Sequence, residues 1–117
     1  MKLKGILRLA ALGMTGLLAR AMEIWMVCVE MVAQTREDSP SKIGLMNITT
    51  WAGSKDAAEG KVEKYLQSLG WHLVSVERSH IVSEDREYGE VEWDQIERTR
   101  SNPDAIILGT FHTYKTI

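Results

Sequence analysis

Three histidines, His72, His80 and His112, are the side chains of this chain best suited to chemistry near neutral pH. An imidazole changes charge in that range, and its neutral ring is a common metal ligand. His72 and His80 lie in one predicted strand, where about 3.3 Å of rise per residue separates them by about 26 Å. They share a face but cannot share a site. His80 and His112 each fall towards the C-terminal end of a predicted strand. If those strands are parallel neighbours, the two rings approach each other, with Glu84 or Asp85 of the charged turn "SEDREYG" close by. Two imidazoles and a carboxylate could hold a metal with an open position, or serve as general acid and base. No His-x-x-x-His pair or carboxylate–histidine doublet fixes that geometry. Ordinary polar-face histidines are therefore the plainer reading, and no cofactor is expected.

The turn Gly53-Ser54-Lys55 between a predicted strand and a predicted helix invites a phosphate reading. A phosphate loop needs a longer glycine-bearing run that ends in Gly-Lys and then Ser or Thr, so that several backbone N–H groups ring the anion. That order and the earlier glycine are missing here, and Asp56 would compete with an anion for the helix dipole. Ser54 is read as an N-cap that accepts from the N–H of Asp56 or Ala57. The single cysteine, Cys28, excludes an internal disulfide and a cysteine-rich zinc site. Set among Val27 and Val29, it reads as a buried thiol rather than a nucleophile. Asn47-Ile48-Thr49 matches a glycosylation sequon but falls inside a predicted strand. No Gly-x-Ser-x-Gly elbow presents a serine, and the turn at 83–89 lacks the alternating oxygen ligands of a calcium loop.

The composition frames these residues. With 117 residues, 44% of them apolar and 26% charged, the chain fits one globular domain with its own core. The formal net charge is −2, but the charge is unevenly spread. Residues 1–22 hold Lys2, Lys4, Arg8 and Arg20 and no acid, whereas from Glu37 onward 14 acids face 9 bases. An acidic body repels a phosphate backbone, so nucleic-acid binding is not expected.

The stretch 1–21 has a basic start, an apolar middle and Ala19-Arg20-Ala21 at its end. Three readings stand: an over-long start with translation truly beginning at Met22, a helix that docks on the body or a membrane surface, or an export signal. The uncharged run from Leu9 to Ala19 is shorter than the ~20 residues that span a bilayer. The body, 22–117, is expected to be cytoplasmic unless 1–21 exports it.

The elements that must position these side chains follow from apolar spacing. "MEIWMVCVEMVA" (22–33) is too uniformly apolar for an amphipathic helix and reads as a largely buried strand. After a polar loop at 34–42, "IGLMNITTWA" (43–52) is a second strand, antiparallel to the first, with Ile43, Leu45, Asn47, Thr49 and Trp51 on one face. A helix over 55–69 buries Ala58, Val62, Tyr65, Leu66 and Leu69, and Gly70 ends it. Then come a strand at 71–82, a helix at 90–101 with Val91, Trp93 and Ile96 as its apolar side, and a strand at 104–114. Asp94 and Arg98 are spaced for an ion pair on that second helix.

The order β-β-α-β-α-β predicts an α+β two-layer sandwich, four strands with two helices on one face, joined by two right-handed crossovers. Trp25, Trp51, Trp71 and Trp93 fall in four different elements and read as core anchors. The expected function is a non-enzymatic protein-binding module, acting through a sheet edge or an acidic helix face on another protein or on a copy of itself. An apolar first strand at a sheet edge would need such a partner. The alternative is a small metal-dependent or acid–base enzyme using His80 and His112.

Overall fold

The computed structural model describes residues 22–33 and 41–116. The readings of 1–21, and of the loop at 34–40, lie outside the described residues. The elements are β1 (Glu23–Ala33), β2 (Lys42–Ala52), α1 (Lys55–Ser68), β3 (His72–Ile81), α2 (Glu90–Arg100) and β4 (Ile106–Thr116). The α+β class, the four strands, the two helices and their order are those expected from the sequence. β1 and β2 pair antiparallel without a break, from Glu23 opposite Ala52 to Ala33 opposite Lys42.

The sheet order is β3-β1-β2-β4, and every neighbouring pair is antiparallel. β1 therefore lies inside the sheet, not at an edge, and its apolar character needs no outside partner. Because β2 and β3 both run antiparallel to β1, they run parallel to each other, and β2-α1-β3 is a crossover between parallel strands. β3 and β4 run in opposite directions at opposite edges, so β3-α2-β4 is not a second parallel crossover.

The helices do not share a face. Consecutive strand residues point to opposite sides of a sheet. Ile48 is fully buried in one cluster with Val27, Val29 and Met31 of β1 and with Ala58, Val62 and Leu66 of α1. Its neighbour Thr49 points the other way and bonds Thr99 of α2, Oγ1 to Oγ1 at 2.7 Å. Trp51, on the Thr49 side, donates its indole N–H to the Thr99 carbonyl at 2.8 Å. The expected two-layer sandwich thus becomes three layers, with α1 on one face and α2 on the other. The cause lies in β1, which buries Ile24, Met26 and Cys28 on one side as well as Val27, Val29 and Met31 on the other. A strand apolar on both faces needs cover on both.

Local chemistry supports these elements. Ser54 caps α1, its hydroxyl accepting from the Ala57 N–H at 3.1 Å. Gly70 takes φ +78 after the last turn, a conformation that suits a residue without Cβ. In α1, Ala58, Val62 and Leu66 are buried as expected, while Leu69 stays 42% exposed. In α2 the inward residues are Gln95, Ile96 and Thr99; of the expected apolar side only Ile96 is buried, and Val91 is 66% exposed.

Both edge strands are bulged. In β3 the register against β1 slips twice, leaving Glu77 and Val74 without a paired residue. β4 slips twice against β2, at Gly109–Thr110 and at Tyr114. Val74 and Tyr114 are among the exposed large hydrophobic side chains. Such bulges twist an edge out of register for a further strand.

Candidate functional site

The face that carries α2 is only partly covered. α2 seats over the Thr49–Trp51 end of β2, and beside it, towards Leu45, the face is indented. Two hollows meet there. The larger, about 460 Å³, is lined by Asn47, Gln95, Thr110, His112 and the first turn of α2, Gly89 to Glu92. The smaller, about 160 Å³, is lined by Cys28, Leu45, Met46, Asn47, Arg78 and His112. Asn47 and His112 border both, which makes one trough across this half of the sheet.

A β-bulge shapes its floor. Opposite Asn47, β4 inserts an extra residue at Gly109–Thr110. The Gln95 side chain fills the gap in the ladder, its Nε2 donating to the carbonyls of Asn47 at 3.0 Å and of Ile107 at 2.9 Å. This is the reason for a buried glutamine on the inner side of α2. Gly109 is fixed by the same arrangement, since a Cβ there would meet the Asn47 carbonyl at 2.6 Å and Gln95 Oε1 at 2.7 Å. Gly44 plays a like part at the second β4 bulge, where a Cβ would stand 2.8 Å from the Thr113 Cα and against the His112 carbonyl.

The wall of the trough is the start of α2. Glu92 accepts from the Gly89 N–H through Oε1 at 2.9 Å, and its Oε2 receives Asn47 Nδ2 at 3.5 Å. One carboxylate thereby caps the helix and ties it to β2. Glu90 and Val91 remain exposed on the wall, and His112 is exposed on the opposite side.

His80 stands on the same face, apart from this trough. Its Nε2 lies 3.0 Å from the Tyr88 hydroxyl, and the two rings are near-parallel with centroids 6.1 Å apart. The Tyr88 and Trp93 rings meet in a T-shaped contact, with centroids 5.0 Å apart. Burial, the first cause, and then the Arg86 and Arg78 guanidinium groups hold the His80 pKa below its ordinary value, with Glu92 opposing them.

The topology separates the two histidines that the sequence offered as a pair. His80 pairs with Met26 on β1, and His112 with Leu45 on β2. The parallel adjacency that would bring the rings together is absent, because β1 and β2 lie between their strands. Three strand spacings and four residues of offset put them about 20 Å apart. Glu84 turns to Arg100, 3.1 Å away, and the Asp85 N–H donates to Ser83 Oγ at 3.1 Å. Among the described residues no three His, Cys, Asp or Glu side chains gather around a common point that could hold a metal ion. Cys28 is buried, and that burial raises its pKa, with Arg78 opposing the rise. No described helix is long and apolar enough to cross a membrane.

Sequence reasoning missed Asn47, Tyr88, Gln95 and the two bulge glycines. A signal was present in α2: Gln95, Ile96 and Thr99 fall at the 1, 3 spacing of a single inward stripe, with Glu92 one turn before. Reading only the apolar residues of α2 concealed it.

No protein-family model, no curated protein and no solved structure matches the chain. The functional reading therefore rests on the chain's own geometry.

Proposed function

We propose that this protein is a non-enzymatic binding module that takes a segment of a partner protein in the trough beside the start of α2. The observation that carries this reading is Val91, 66% exposed on the first turn of a helix whose inner side is otherwise tied down. An apolar side chain exposed on the wall of a hollow of about 460 Å³ that is otherwise lined by acidic, amide, hydroxyl and imidazole groups offers a partner one apolar contact within a polar surround. Glu90 and the acidic balance of the body favour a segment with basic side chains, by steering and by charge complementarity. The bulged edges of β3 and β4 argue for a face rather than an added strand as the mode of contact.

The test is affinity capture from a native lysate with the tagged full chain, beside a Glu90→Lys, Val91→Asp variant. Both substitutions sit on exposed positions, so the fold is expected to persist and circular dichroism checks it. Proteins retained by the wild type and lost from the variant support the reading. Identical capture by both contradicts it.

A further inference from the structure

We propose that His80, Tyr88 and Trp93 form a pH-responsive latch: while His80 is neutral it holds the start of α2 against the sheet, and protonation of His80 releases it. The three rings come from three elements. His80 is on β3, Tyr88 ends the turn that follows, and Trp93 is in the first turns of α2. The chain passes directly from Tyr88 to Gly89, whose N–H is held by Glu92 and whose carbonyl accepts from Trp93 at 2.9 Å. Whatever anchors Tyr88 thus anchors the wall of the trough.

The chemistry of the contact depends on charge. A neutral imidazole can accept the Tyr88 hydroxyl hydrogen at Nε2 over 3.0 Å. An imidazolium has only N–H donors, so that hydroxyl must turn its hydrogen to another acceptor or the contact is lost. The new positive charge also enters a half-buried site. Arg78 of β3 and Arg86 of the turn repel it there, and Glu92 of α2 is the opposing charge, already engaged by Gly89 and Asn47. From β1 the ring faces uncharged Met26, with Cys28 the next residue on that face. α1 lies on the other side of the sheet.

The folded pKa of His80 is depressed, so the latched state is fully stable above the ordinary imidazole pKa of about 6.5 and loses stability as pH falls through the lower folded value. What the latch governs rests on reading the trough as a binding surface; the latch itself does not.

Amide hydrogen exchange on the full chain, corrected for the intrinsic pH dependence of the chemistry, tests it without a partner. Between pH 7 and pH 5 the protection of the Gly89 and Trp93 amides should fall several-fold while the Val62 and Leu66 amides of α1 hold. His80→Gln, which stays neutral and can still accept from Tyr88, should abolish that step. Tyr88→Phe, which keeps a ring but loses the hydroxyl, should exchange at pH 7 nearly as fast as the wild type does at pH 5. Unchanged protection across the range, or a step that persists in His80→Gln, overturns the latch, as does Tyr88→Phe behaving like the wild type. A flat profile leaves the trough reading untouched, and failure of the capture experiment leaves the latch untouched.

Discussion

At the scale of single residues, polar atoms inside the α2 interface decide more than its apolar ones. Thr99 donates its hydroxyl to the Gln95 carbonyl at 2.9 Å, so the short contact with Thr49 leaves Thr49 as the donor. Both threonines are fully buried. Thr99→Val should strand the Thr49 hydroxyl and cost about 1–3 kcal/mol in a denaturant melt. Adding Thr49→Val removes the stranded group and should recover part of the loss, which a double-mutant cycle reads directly. Gly109→Ala should cost about 1–3 kcal/mol for the same reason of close fit, because its Cβ would press on Asn47 and Gln95. None of this was legible from residue type. Asn47 and Gly109 fell inside predicted strands and Gln95 outside the apolar side expected for α2, and only the bulge places them together. The Ser54 cap and the Asp94–Arg98 pair, 3.9 Å apart, were legible because each depends only on local spacing.

At the scale of elements, local rules again fared best. The end of α1 at Gly70 and the antiparallel β1–β2 pairing followed from short-range patterns. Ser54→Ala should lower stability by about 1 kcal/mol through loss of the cap, with a lower thermal midpoint as the readout and no change at α2. The side of the sheet taken by α2 depended on β1. Its apolar run from Ile24 to Val29 already implied burial on two faces, yet helix counting alone suggested one covered face. The edge strands teach a related lesson. Bulges depend on the partner strand's register and leave little trace in either sequence, although Gly44 and Gly109 in otherwise regular strands were a faint mark.

At the scale of the whole molecule, topology decides which chemistry is possible. The order β3-β1-β2-β4 sends His80 and His112 to opposite edges, and no spacing rule within a strand could have foretold that. The same order places Asn47, Val91, Glu90 and His112 around one hollow on the α2 face. Binding is proposed to run through this trough rather than through either edge. Its most direct measurement is site-specific photocrosslinking in the native lysate, with the probe placed in turn at Val91, at Val74 on β3 and at Tyr114 on β4. All three side chains are exposed, so insertion is equally easy to read. Binding through the trough should give discrete protein adducts from position 91 and only background from 74 and 114. Adducts from 74 or 114 with none from 91 would contradict it and return the binding surface to a sheet edge.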